Sequence, residues 1–596
     1  HPRILTMTML RSTNLRFLSK SHSMAAPYHH VHPEHLPLDM RNGIVKKAMY
    51  KFFDETLVNE VLQQRRSRST PEAVIDDFMK TDQPEIELKK DEHYQKALRV
   101  TINLFKPKQP YKPVAFPDLR YYPWTLNVSA EAPYNWQPLW KAKLAKRYAE
   151  GQIPNPSPTF HNLYDQIFTA NRLLIHKIKD GDKAFFDSDG TPKPYYWTNL
   201  HARAHVVGPD DEDKIRAVFG VPKLLLQAEN MFIWPMQADL LNRDPCDSPL
   251  LWGCEIMKGG WKRLRNLVNN KTEGKAKAIL SADWSQFDRR ALHSIIDDVH
   301  SAWRSFYDFS CYQPTNYYPD ASTNPERLER VWKWMTYNVK HYPILLPDGR
   351  LFQWQYNGIA SGYQQTQLLD SWVNMIMLLT CLSEAGIDIE SKHFFIKVQG
   401  DDSICAIPSD ILRSYGKQRF LSLIAKIALD RFNAKLSTTK SDIQPDLNGV
   451  KVLGYNNSSG IAWRTEVDLL SHLYFPERPQ SLSATAGTAV GIALAAQGCS
   501  RAVYDVCLDV FEFITKELGR EAIINASTLR DLIYQGYSDF NLLTDRSIEG
   551  KVFLVERFPQ FLGTYMQNYV LEHRDESSRN RMWPTDPERT GGFHFL

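Results

Sequence analysis

The stretch FFIKVQGDDSICAIP, Phe394 to Pro408, constrains this chain more than any other. Two apolar, β-rich runs flank Gly400-Asp401-Asp402, a turn-sized insert with two adjacent carboxylates. The pattern predicts an antiparallel hairpin, because Gly and Asp are residues that a tight reversal favours. Turn chemistry accounts for Gly400 and tolerates an acid beside it, but it does not require two. A second acidic group lies in LSADWSQFDRRAL, where Asp283 closes a strand-like run and Asp288 follows five residues later. Alone, Asp288 reads equally well as a cap on the helix that follows. If the two strands are neighbours in one sheet, Asp283 and Asp401 face each other. Two unpaired carboxylates about 4 Å apart repel by roughly 4 kcal/mol at an effective dielectric near 20. A fold that holds them so needs a shared proton or cations in the gap. Hard oxygen donors, with no His or Cys nearby, favour Mg²⁺ or Mn²⁺ over zinc. Two such ions roughly 3.5–4 Å apart suit in-line phosphoryl transfer.

The rest of the composition narrows the setting. A chain of 596 residues, 43% hydrophobic and 23% charged, is a folded protein long enough for several lobes. A formal charge of +4 argues only weakly for a polyanionic partner, though a basic groove can coexist with it. Seven scattered cysteines without a CxxC pair suit a reducing compartment and speak against zinc or a disulfide framework. The apolar runs WVNMIMLLTCL (372–382) and AVGIALAAQGC (489–499) are too short to span a bilayer, so a soluble chain with no membrane partner is expected. No GxxxxGK[ST] loop is present, which argues against a fused helicase or ATPase. Residues 1–26 are basic and Ser/Thr-rich, with no acid before Glu34. They read as a transit segment or as translated leader sequence ahead of Met24, disordered in either case. The histidines of YHHVHPEH (28–35) lack a metal-ligand spacing.

Along the chain, residues 36–100 read as helical, and 101–160 as an irregular layer dense in Pro and aromatics. A helix is expected near 160–178. From 276 the pattern becomes mixed: a strand over 276–284, a helix over 289–303, and a hairpin over 345–354 closing on Asp348-Gly349. A long helix over 362–385, the acidic hairpin and a helix over 417–433 follow. After Pro476 the chain reads as mainly helical to about 570 and ends in a polar tail. In NGIASGYQQTQLLDSWVN a flexible loop leads into the long helix, on which Thr366, Asp370 and Asn374 recur at spacing four and share one face. A polar stripe on an otherwise apolar helix needs partners. Upstream, in DKIRAVFGVPK, Lys214 and Arg216 alternate as on a strand and can point to one side, as in an anion grip or in a merely solvated basic strand.

The order of these motifs resembles the viral RNA-dependent RNA polymerases, most closely those of partitivirus-like double-stranded RNA viruses. DWSQFD resembles the first palm motif, SGYQQTQLLDSWVN the second and GDD the third, with LGYNNSSGIAWRTEVDLLSHLYFPER (453–478) as a later block. The resemblance covers about 200 to 480. It implies an α+β right-hand fold whose palm is an antiparallel sheet flanked by helices and whose thumb is mainly helical. The implied division is an N-terminal bridge at 27–100, fingers at 101–276 and 301–360, palm at 277–300 and 361–475, and thumb and tail at 476–596. It implies synthesis of RNA from ribonucleoside triphosphates on an RNA template, with Asp283, Asp401 and Asp402 as metal ligands for two Mg²⁺ ions, Mn²⁺ substituting. Lys440 is implied as proton donor to pyrophosphate, with Lys435 as the alternative. Lys214 and Arg216 grip the triphosphate. Asp288, helped by Ser361 and Asn374, senses the ribose 2′-OH, Gly362 and Thr366 also bind substrate, and Arg464 grips the primer strand. Implied partners are RNA template and product, nucleotides and a viral capsid protein, in the virion interior and host cytoplasm; a genuine transit segment at 1–26 would instead mean mitochondria. A reverse transcriptase and a catalytically silent RNA-binding relative are the alternatives. The acid at 288, where reverse transcriptases carry a bulky gate, favours ribonucleotides, and the intact motif residues argue against silence.

Overall fold

The computed structural model describes residues 13–21, 39–275, 277–477, 480–525, 543–548, 552–568, 583–585, 587–588 and 590–596. A four-stranded antiparallel sheet lies at its centre, in the order Phe395–Gln399, Asp402–Pro408, Lys277–Ser281, Asp442–Gln444. Alternate residues of these strands feed two different cores, as the period of two requires. Ala278, Leu280, Val398 and Cys405 enter the largest core, whereas Ile279, Phe395, Ile404 and Ala406 enter a smaller one on the opposite face. The long helix Thr366–Glu384 covers the first face with Trp372, Met375 and Leu379, and helix Gly260–Thr272 covers the second with Trp261, Leu264 and Val268. Both faces are therefore dry. A hydrophobic side chain fully buried there contributes roughly 1.5–3 kcal/mol.

A second sheet runs in the order Leu15–Lys20, Arg350–Trp354, Ile344–Leu345, Thr198–Ala204, Ile215–Gly220. Its only parallel pair joins Thr198–Ala204 to Ile344–Leu345. The 344–354 hairpin and the helices Thr366–Glu384, Lys417–Phe432 and Tyr164–Lys179 match the periodicity of the sequence. The expected helix at 289–303 is broken: a short turn, Phe287–Arg290, precedes helix His293–Ser305.

Three expectations fail at the ends of the chain. Residues 13–21 are not a disordered leader. Leu15–Lys20 pairs with Arg350–Trp354, and Asn14 is fully buried, its Oδ1 accepting the N–H groups of Tyr356 at 2.7 Å and Asn357 at 3.0 Å. Residues 1–12 and the histidine cluster at 28–35 lie outside the described residues. The region after Pro476 is not simply helical: helices Leu482–Ala495 and Arg501–Glu512 are followed by a three-stranded sheet, Ala522–Asn525, Val552–Val555, Leu543–Ile548 in spatial order. The apolar, β-branched run AIIN and the apolar run VFLV suit strands better than helices. The polar tail, finally, hides two core anchors. Phe593 and Phe595 are buried, Phe593 stacks on Tyr121 at 3.8 Å, and Phe595 stacks on Trp583 at 4.1 Å.

The N-terminal helices Asp39–Phe52 and Glu55–Gln63 share a core with Glu466–Tyr474, Leu482–Ala495 and Arg501–Glu512. Buried Arg41 fastens the two regions through Thr485 Oγ1 at 2.9 Å and the Tyr474 carbonyl at 3.0 Å. Among the described residues no helix is long and apolar enough to cross a membrane.

Candidate active site

The acidic hairpin and the Lys277–Ser281 strand are hydrogen-bonded neighbours, with Cys405 opposite Leu280. Continuing that register by three residues sets Asp402 opposite Asp283, with Asp401 on the turn beside them. Gly400 takes φ of 57°, a left-handed conformation that favours glycine. The turn is also held from below. Ser371 Oγ accepts the Gly400 N–H at 2.8 Å, and Asn374 Nδ2 donates to the Gly400 and Asp402 carbonyls, both at 3.0 Å. Asn374 Oδ1 accepts from Trp284 Nε1 at 2.8 Å, so this side chain also reaches the strand end that follows Asp283. Asp283 itself is fastened by its backbone, its N–H donating to Ser441 Oγ at 2.8 Å.

Asp283 and Asp401 are exposed and line a cleft of about 1040 Å³, together with Lys214, Arg216, Lys435 and Lys440. Partial burial and the neighbouring Asp283 hold the Asp401 carboxyl above the usual carboxylate range. Burial, with Asp401 beside it, pushes Asp402 up to about 6, and its Oδ2 accepts the Leu453 N–H at 3.2 Å. On the facing wall, burial and the nearby Arg216 and Lys440 lower the Lys214 ammonium, a sign of crowded cations. The cleft thus sets anionic side chains against cationic ones. The donor set is all carboxylate oxygen, which fits a hard divalent cation. Among the described residues no three His, Cys, Asp or Glu side chains converge into a preformed cage.

The residues of the polar stripe on the long helix have different partners. Asn374 is fully buried, and its Nδ2 donates to the two hairpin carbonyls. One helical turn earlier, Asp370 stands beside Asp288. Its carboxyl hydrogen-bonds that of Asp288, burial raises both carboxyls, and Asp370 lies far above the usual range with Asp288 as the second cause. Asp370 Oδ1 is buried without a hydrogen-bond partner. Thr366 is spent locally, its Oγ1 donating to the Ala360 carbonyl at 2.7 Å, while Ser361 is exposed. Gly362 passes so close to the Arg216 strand that a Cβ there would meet the Phe219 carbonyl oxygen at 2.1 Å. Arg464 is ion-paired to Asp468 at 2.7 Å, with its guanidinium over Tyr455.

One anchor of this loop has no signal in the motifs. Glu229, fully buried in helix Lys223–Asn242, accepts the N–H groups of Gln364 and Gln365 and the Gln365 Nε2, each at 3.0 Å. Burial pushes its carboxyl up to about 8. An acid in a helix that is otherwise buried and apolar was the clue available in LLLQAENMFIW.

A sheet with acidic strand ends, a polar-faced helix beneath the hairpin and a cationic wall opposite form a cleft chemically suited to nucleotidyl transfer. The family model described as viral RNA-dependent RNA polymerase matches residues 168–505, more than half of the sequence, and the chain belongs to that family. It is 30% identical over 559 residues to the RNA-directed RNA polymerase of White clover cryptic virus 1, covering 86% of this chain and 88% of the relative. It is 25% identical over 519 residues to the RNA-directed RNA polymerase of Atkinsonella hypoxylon virus, covering 81% and 75%.

Proposed function

We propose that the chain transcribes and replicates a double-stranded RNA genome by template-directed RNA synthesis from ribonucleoside triphosphates. The observation that carries this reading is the cleft shared by Asp283 and Asp401 with Lys214, Arg216 and Lys440. Asp283 and Asp401, with Asp402 beside them, would hold two Mg²⁺ ions, Mn²⁺ substituting, whose charge eases formation of the attacking 3′-oxygen and departure of pyrophosphate. Arg216 offers the triphosphate a bidentate guanidinium and Lys214 a point charge. Lys440 is the proton donor to pyrophosphate in this reading, with Lys435, which also lines the cleft, as the alternative. The ribose is read by Asp288 with Asp370, and by Ser361 at the loop. A proton shared by the two carboxyls supplies both a donor and an acceptor, as a 2′-OH requires. Asn374, Thr366 and Gly362 position rather than touch.

In this reading the four-stranded sheet is the palm, the sheet bearing Arg216 belongs to the fingers, and the region after 476 is the thumb, bridged by the N-terminal helices. Duplex product would leave between palm and thumb, with backbone contacts making binding salt-dependent. A capsid protein is the expected assembly partner, in the virion interior and the host cytoplasm.

The test is primer extension on an RNA template with Mg²⁺, comparing wild type with Asp401→Ala alongside RNA-binding measurements. The expected result is lost synthesis with retained RNA binding. Undiminished synthesis by the variant overturns the metal assignment. Faster incorporation of deoxynucleotides than ribonucleotides by the wild type would favour a reverse transcriptase.

A further inference from the structure

Residues 39–105 carry no polymerase motif, yet one of their helices reaches the cleft. Helix Pro71–Met79 presents Asp77, which is 5% exposed and forms part of the cleft wall. Its Oδ2 accepts the backbone N–H of Ala217 at 2.7 Å, and its Oδ1 accepts from Arg289 Nη2 at 2.6 Å. Ala217 directly follows Arg216, and Arg289 directly follows Asp288. One carboxylate therefore ties the strand that carries Arg216 to the turn that carries Asp288. Lys80 Nζ stands 3.8 Å from the same carboxylate, at the exposed edge.

The next turn of chain extends this brace. The Thr81 carbonyl accepts from Asn14 Nδ2 at 2.7 Å and from Asn357 Nδ2 at 2.9 Å, and Asn357 Nδ2 also donates to the Arg289 carbonyl at 2.6 Å. Asn14, Thr81 and Asn357 are all buried. The Ile359 N–H donates to the Asp288 carbonyl at 2.9 Å, so the Asp288 backbone is held from the opposite side as well. A charge-assisted bond between two buried elements is stronger than a neutral one. Taking away one charge leaves the other partly buried and unpaired. An ion pair that served only stability could join any two elements. This one joins the immediate neighbours of the two side chains to which the triphosphate and the ribose are assigned above.

We propose that Asp77 is a positioning residue for nucleotide selection, setting the separation of Arg216 and Asp288 and so coupling triphosphate grip to ribose reading. The proposal rests on the roles given to Arg216 and Asp288 above. The motif-free N-terminal segment then contributes to substrate choice without touching the reacting atoms.

The experiment is single-nucleotide incorporation by the full chain on a primed RNA template, with a ribonucleotide and its deoxy counterpart. Wild type is compared with Asp77→Asn, Asp77→Glu, Arg289→Gln and Asp288→Ala. Asp77→Asn is nearly isosteric, keeps an acceptor for the Ala217 N–H and removes the charge facing Arg289. Its KM for the ribonucleotide is expected to rise about tenfold, as for loss of one charge-assisted hydrogen bond. Its kcat is expected to change by less than about threefold, since no group at the reacting atoms is altered. The preference for ribonucleotides narrows, Asp77→Glu recovers part of both effects, and Arg289→Gln reproduces the KM shift from the other side of the pair. Thermal melting of the same samples reports the folded fraction. Unchanged KM and preference in folded Asp77→Asn, or a loss of kcat that merely follows the folded fraction, overturns the proposal. If Asp288→Ala leaves the preference unchanged, the ribose reading fails instead, and the Asp77 proposal stands or falls on KM alone. Should Asp77→Asn not fold, Arg289→Gln decides by the same two criteria.

Discussion

Asp283 and Asp401 stand open to the cleft, whereas Asp370, on the long helix, is 9% exposed and hydrogen-bonded to the carboxyl of Asp288. Both pairs bring like charges together, and their surroundings relieve the repulsion in opposite ways. The open pair faces water and a cationic wall, so a divalent cation can enter and satisfy both carboxylates. The more buried pair is hydrogen-bonded carboxyl to carboxyl with both groups raised, so a proton held between them relieves the repulsion. Residue type alone does not decide between metal ligand and hydrogen-bonding acid. Depth does.

Substitutions that exchange or remove one member of each pair break the comparison in turn. Asp401→Ala should lower RNA synthesis by about a thousandfold or more, because the site loses charge where charge develops; primer extension at saturating nucleotide measures it. Asp370→Ala should leave synthesis measurable but lower the ribo-over-deoxyribonucleotide ratio by about tenfold, since Asp288 loses the partner that orients it. Competition between the two nucleotides on one template measures that, and an unchanged ratio would return the ribose role to Asp288 alone. Gly362→Ala sharpens the comparison by displacing the loop between the pairs. Its Cβ meets the Phe219 carbonyl, so a stability loss of about 1–3 kcal/mol is expected in a thermal or denaturant melt.

The smallest effect is the pH dependence. Asp402 is raised from the ordinary carboxylate value to about 6, so its proton is held more tightly in the folded protein. Without metal this favours the fold at low pH, and the stabilisation is lost as pH rises through about 6. Metal binding competes with the same proton. Divalent-ion affinity is therefore expected to weaken as pH falls from 7 to 5, and the metal-free melting temperature to fall as pH rises over that window. Calorimetric titration at several pH values checks the first and a melting series the second. Asp402→Asn should flatten part of both.

The acidic hairpin was legible because its determinants are local: a glycine able to take positive φ, two apolar runs and acids between them. The adjacency of Asp283 and Asp401 was legible only as a condition, since the pairing of Lys277–Ser281 with Asp402–Pro408 joins residues more than a hundred positions apart. The spacing of the helix stripe put its residues on one face but carried no information on depth. Asp370 and Asn374 are four residues, about 6 Å, apart along the helix. Spacing cannot say which of them meets Asp288 and which lies under Gly400. The ends of the chain were misread for a related reason. Asn14, Phe593 and Phe595 sit in polar-looking segments, and their partners at 355–357, 121 and 583 cannot be inferred from local pattern. Asp77 belongs to the same class, a single buried acid whose partners at 217 and 289 exist only in the fold.

The most direct test of the account is Mn²⁺ binding, followed by paramagnetic resonance or calorimetry at pH 7.5 in the absence of nucleotide. The wild type and Asp370→Asn should bind with similar affinity, and Asp283→Asn and Asp401→Ala should each lose binding. Binding that survives both of the latter substitutions, or that is lost with Asp370→Asn alone, would contradict the division of the carboxylates into an open metal pair and a covered proton-sharing pair.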